Sequence, residues 1–147
     1  FKNPELSTEW RQFRLNAITT LVNEIVDIAE SKNKKVTAAV FPFPEMSRQM
    51  VRQAWNDWNL YKAYPMLYQN FYRENINWIG FATKQGVNDV NFPIISGLYA
   101  GALRNNGDLE KAIRISKENG AKGVSIFTAD GLNSEQRATL VRLKGQL

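Results

Sequence analysis

The chain has 147 residues, 44% of them hydrophobic, a composition that supports one packed domain and argues against disorder. It contains no cysteine and no histidine, which excludes disulfides, thiol nucleophiles, Ser-His-Asp triads and most zinc sites, leaving Asp, Glu, Tyr and Lys for proton chemistry. The net charge of +5 is dispersed over residues such as Arg11, Arg48, Arg114 and Arg142 at helical spacing, so it reads as solvated faces and not as a nucleic-acid surface.

In chain order, the first expected element is a long helix. Trp10, Phe13, Ala17, Leu21, Ile25 and Ile28 recur at three- and four-residue steps, and Ile18 and Val22 widen the stripe. Ser7 or Thr8 can cap it, and Ser31-Lys32-Asn33 ends it. Val36 to Phe41 is apolar on both faces, as a buried parallel strand is, and Pro42 and Pro44 stop it. A helix opening at Ser47 is expected to carry Met50, Val51, Ala54, Trp55 and Trp58, the tryptophans packing in the core. A second strand is expected near Ala63 to Tyr68, although Pro65 cannot donate to a ladder. A helix near Glu74 to Gln85 ends at Gly86, and a third strand runs near Phe92 to Tyr99. Gly97 within it would allow close approach by a ligand or another backbone. A helix capped by Asp108 buries Leu109, Ala112 and Ile113 and stops at Asn119-Gly120. The last strand is Gly123 to Thr128, followed by a helix whose Asn133 and Gln136 suit a capping box. No apolar run, Val36–Phe43 and Ile94–Leu103 included, is long enough to cross a bilayer.

Strand starts near 36, 63, 92 and 123 repeat at roughly the 30 residues of one βα unit. The expected fold class is therefore α/β: the carboxy-terminal half of a (β/α)8 TIM barrel, a single domain over residues 1–147 with one leading helix and four βα units in a parallel sheet. The leading helix takes the place of helix 4, and strands and helices 5 to 8 follow. A half barrel leaves two strand edges unpaired. The expected partner is the missing N-terminal half or a second copy in a homodimer. Opening on Phe1, the chain is read as cut from a longer parent.

Function in such barrels sits at the carboxy ends of the strands. Glu45, following Phe43-Pro44, is the sharpest catalytic candidate; it also fits an early helix position favoured by the helix dipole. Asp130 is the second, and it also fits a turn before the last helix. Glycoside hydrolysis ordinarily uses two such carboxylates. Tyr68, Gln69, Tyr72 and Tyr99 are candidate substrate-binding residues, because flat rings stack on the apolar faces of sugars and amides bond to hydroxyls. No metal site or cofactor is expected; Gly101 and Gly107 form no known phosphate cradle.

Trp10-Arg11, Val40-Phe41-Pro42-Phe43-Pro44, Trp55-Asn56-Asp57-Trp58, Tyr64-Pro65-Met66-Leu67-Tyr68 and Gly97-Leu98-Tyr99 occur in that order, from about Trp10 to Asp130. Together they resemble the later half of the bacterial family-10-like glycosyl hydrolases. The resemblance implies a (β/α)8 fold, a poly- or oligosaccharide substrate, an extracytoplasmic parent protein, and Tyr68 and Tyr99 near the sugar. It also implies an acidic and aromatic motif at the fourth strand, upstream of Phe1. Pro44-Glu45-Met46 departs from the glycine-ended form of this strand. The competing readings are a non-catalytic carbohydrate-binding barrel and a structural flavodoxin-like domain.

Overall fold

The computed structural model describes residues 6–105 and 107–144. Among the described residues the chain is mixed α/β, with five α-helices and four short parallel strands. The order is α1 (Thr8–Glu30), β1 (Thr37–Val40), α2 (Pro44–Val51), β2 (Lys62–Pro65), α3 (Trp78–Asp89), β3 (Ser96–Tyr99), α4 (Asp108–Glu118), β4 (Val124–Phe127) and α5 (Ser134–Leu143). Single 3-10 turns occur at Trp55–Asp57, Gln69–Tyr72, Ala100–Ala102 and Ala129–Gly131. Among the described residues no helix is long and apolar enough to cross a membrane.

The strands form two two-stranded parallel sheets, β1 with β2 and β3 with β4. Pro65 explains the break between them. On the β3-facing side of β2, the Ala63 amide donates to Pro93 and the Leu67 amide to Gly97. Residue 65 falls between these two and has no N–H to give. Only the isolated bridges Ala63↔Ile94 and Met66↔Gly97 remain there. Gly97 has a packing reason at this seam: a Cβ on it would lie 2.7 Å from the Pro65 carbonyl oxygen. The close approach expected at Gly97 is thus by a neighbouring backbone.

The helices pack on one face. Leu98, Val124 and Ile126 join Ile79 and Ala82 of α3, Leu109, Ala112 and Ile113 of α4, and Leu143 of α5 in one core. A second core holds Val40, Ala63, Trp55, Trp58 and Val26 of α1. Side chains alternate across a strand, so Thr37 and Ala39 of β1 and Ser125 and Phe127 of β4 point the other way, and all four are exposed. The outer strands are therefore buried on one face only, where the sequence reads β1 as buried on both.

Helix α1 begins as expected, with Ser7 Oγ accepting from the Trp10 amide at 3.2 Å. Its buried face differs from the expected stripe. Ile18, Val22 and Val26 pack on the core, while Phe13, Leu21, Ile25 and Ile28 are 49–61% exposed. At 3.6 residues per turn the two faces lie about 120° apart. Periodicity locates both apolar faces and cannot say which one meets the sheet.

Helix α2 opens at Pro44, where a missing N–H costs nothing, and ends before Arg52, which is left-handed at φ 61°. Trp55 and Trp58 consequently lie outside the helix expected to carry them, yet both are core residues. Helix α3 starts at Trp78 and runs through Gly86, which does not stop it. A Cβ on Gly86 would meet Trp55 Cη2 at 3.0 Å, so this glycine makes room for the tryptophan. Asp108, expected to cap α4, is its first helical residue; Gly107 at φ 78° holds the cap position without a side-chain bond, and the helix stops at Asn119-Gly120. The Asn133–Gln136 capping box of α5 forms as expected.

Candidate functional site: an aromatic platform at the strand ends

Beyond the carboxy ends of β2, β3 and β4, four rings gather. Tyr68 and Phe127 stack with centroids 5.7 Å apart, as do Phe71 and Tyr99. Tyr68 also meets Tyr99 at 5.8 Å and Phe71 at 5.9 Å, and Tyr99 meets Phe127 at 6.1 Å. These separations are those of favourable aromatic pairs. The alternation of β3 and β4 sends Tyr99 and Phe127 to the face without helices, and the 3-10 turn after β2 brings Phe71 back over Tyr68. Phe71 is 66% and Phe127 53% exposed. Burial pushes the Tyr68 phenol above the ordinary tyrosine range by disfavouring its charged form.

The turn under Tyr99 is built from small residues and tied down by glutamines. A Cβ on Gly101 would run into the Tyr99 ring at 2.6 Å, so glycine lets that ring lie over the turn. Gln136 of α5, buried, donates from Nε2 to the Ala100 carbonyl at 2.9 Å and the Leu103 carbonyl at 2.7 Å. Gln69, also buried, donates from Nε2 to the Ala102 carbonyl at 3.3 Å, and its Oε1 is buried without a hydrogen-bond partner. Gln69 is thus a buried support for the turn beneath the platform.

Tyr68 and Tyr99 of the expected set are brought together. Tyr72 lies against Trp78 at 5.2 Å, in an aromatic run that continues to Phe43 and Phe81. Burial raises its phenol too. Glu45 is an exposed first-turn residue of α2, accepting from Gln49 Nε2 at 2.6 Å and 3.8 Å from Arg48. It lines a cleft of about 190 Å³ with Arg11 and Gln12, between α1 and α2. Asp130 is exposed on the 3-10 turn after β4, where the Gly131 amide donates to Thr128 Oγ. Glu45 thus belongs to the α1–α2 cleft and Asp130 to the turn after β4. Among the described residues no cluster of three acidic side chains gathers that could hold a metal ion.

Phe71, Phe127 and Gln136 were not singled out as site residues from the sequence. Phe127 could have been found from strand alternation, two positions beyond Ser125 on the helix-free face. Phe71 depends on the turn geometry. Gln136 was legible only as a capping residue. In comparisons with known proteins, neither family models nor curated sequences match this chain.

Proposed function

We propose that this chain is the carboxy-terminal half of a (β/α)8 barrel and that its aromatic platform holds a saccharide for a glycoside-hydrolase parent acting on poly- or oligosaccharides. The observation that carries the reading is the cluster of Tyr68, Phe71, Tyr99 and Phe127 at the carboxy ends of three consecutive parallel strands. Exposed rings in that position offer flat apolar surface to the C–H faces of sugar rings. The one-sided helix layer supports a barrel over a flavodoxin-like sheet, which needs helices on both faces. The bare stripe of α1 and the outer edges of β1 and β4 suit a missing N-terminal half. A homodimer closing one barrel is less favoured. Right-handed connections would bring α5 of one copy and α1 of the other over the same strand junction.

Asp130 lies on the turn three residues after Phe127 of the platform, and Glu45 stands in the first turn of α2. A non-catalytic carbohydrate-binding barrel is the second reading, favoured by Glu45, which lines the α1–α2 cleft and accepts from Gln49. The resemblance to family-10-like glycosyl hydrolases supports an extracytoplasmic parent. Calorimetric titration with a panel of neutral oligosaccharides tests the platform. Phe71→Ala and Phe127→Ala are each expected to weaken binding about 5- to 10-fold, the worth of one well-placed aromatic contact. Unchanged affinity in both variants refutes the assignment. Loss of hydrolysis in the parent on Asp130→Asn, with binding intact, separates enzyme from binding module.

A further inference from the structure

At the opposite, amino-terminal ends of β1 and β2 is a second concavity, of about 530 Å³. The turn residues Asn33, Lys34 and Lys35 form one wall, and Asn59 and Tyr61 the other; Glu30 is the acidic residue at its edge. The Lys35 ammonium sits 3.8 Å from the centre of the Tyr61 ring and the Lys62 ammonium 5.2 Å from the same ring. The backbone fixes this arrangement. Asn33 is left-handed at φ 56°, the Lys34 amide donates to Ala29, and the Tyr61 amide donates to Val36 at 2.9 Å.

Lysines just after a helix answer the negative end of its dipole, which accounts for Lys34 and Lys35. It does not account for Lys62, which comes from β2 and adds a like charge beside the same ring. Both ammonium groups lie near one ring, and Glu30 is the acidic side chain among the lining residues. The hydrogen bond from Lys35, then the charges of Lys35 and Lys62, hold the Tyr61 phenol below the ordinary tyrosine range.

We propose that this concavity binds a phosphate- or sulfate-ester group carried on a ring-sized ligand. Lys34 and Lys35 donate to the oxyanion together with the Tyr61 hydroxyl, Lys62 adds positive charge from beside the Tyr61 ring, and Asn33 and Asn59 bond to the attached ring. The volume exceeds what a bare oxyanion needs and falls in the range of about 300–1,000 Å³ common to small-molecule sites. The inference is independent of the saccharide platform, which lies at the other end of the strands.

The test follows the phenolate transition of Tyr61 by ultraviolet difference absorbance, as wild type minus Tyr61→Phe, because the chain has five tyrosines. Inorganic phosphate, inorganic sulfate, glucose 6-phosphate and AMP are added, with glucose, adenosine and sodium chloride at matched ionic strength as controls. A bound oxyanion opposes the lysine field, so the transition moves saturably to higher pH with the anions and not with the uncharged controls. Tighter binding of glucose 6-phosphate than AMP assigns the ester to a sugar, and the reverse assigns it to a nucleotide; either supports the site. By calorimetry, Lys35→Gln and Lys62→Gln, with circular dichroism unchanged, each weaken binding about fivefold. A shift no larger than that in sodium chloride, or affinity unchanged in both lysine variants, overturns the proposal.

Discussion

Gln136 offers the sharpest test of how the platform is held. Its side-chain amide satisfies two buried carbonyls, those of Ala100 and Leu103, on either side of the turn that supports Tyr99. Its Oε1 accepts from the Asn133 amide in the capping box. Gln136→Ala removes all three bonds at once; the Ala100 carbonyl keeps the Leu103 amide at 3.2 Å, while the Leu103 carbonyl is left to water or to no partner. A net worth of about 1 kcal/mol per bond, plus partial desolvation of the orphaned Leu103 carbonyl, makes the expected loss about 2–4 kcal/mol. Gln136→Glu is the informative companion. It keeps the size and the accepting oxygens but replaces the donor by a charge facing two carbonyl oxygens, so it is expected to be at least as destabilising at neutral pH. Urea unfolding followed by tryptophan fluorescence measures both, and saccharide titration reads the effect on the platform. A loss below about 0.5 kcal/mol for Gln136→Ala, the range of an ordinary surface change, would refute the clamp. So would a Glu variant as stable as the wild type.

Two further predictions concern packing and charge. Leu98→Ala, at a fully buried position of β3, is expected to cost about 2–5 kcal/mol in urea unfolding. Ile25→Ala on the bare face of α1 should change stability by less than about 0.5 kcal/mol. It should also reduce binding of a hydrophobic dye; a loss comparable to Leu98→Ala would mean that the stripe is covered within the chain. Glu110 is held below its ordinary range by the hydrogen bond from Arg142 Nη2 at 2.5 Å. Because the folded-state value is depressed, the pair's contribution is present above the unfolded value and is lost as pH falls through the folded one. In Arg142→Ala, a carbon-detected NMR titration should show the Glu110 midpoint moving upward, and an unmoved midpoint would count against the pairing.

Much of the fold is legible residue by residue. Ser7 caps α1, Asn133 and Gln136 close a capping box, Asn119-Gly120 stops α4, and β1, β3 and β4 lie within their expected segments, while β2 starts one residue early and ends at Pro65. These features depend on neighbours a few residues apart, so local chemistry determines them. Boundaries moved where a local signal served a distant purpose. Gly86 looks like a helix stop and proves to be room for Trp55. Trp55 and Trp58 look like a helical pair and enter the core from a 3-10 turn and the segment after it.

The candidate site divides the same way. Tyr68 and Tyr99 were found because they end strands, whereas Phe71 joins them only through the turn that folds it back. Glu45 and Asp130 sit where strand ends placed them, but a linear chain carries no measure of which way each faces.

By itself the sequence determined the order of helices and parallel strands, the N-caps of α1 and α5 and the chemistry denied by the absence of histidine and cysteine. Only the tertiary structure decided which of two apolar faces of α1 meets the core, where Pro65 parts the ladder, and which four rings meet. The reason is physical: periodicity and capping act over one or two turns of chain, while burial is settled by contacts between segments dozens of residues apart.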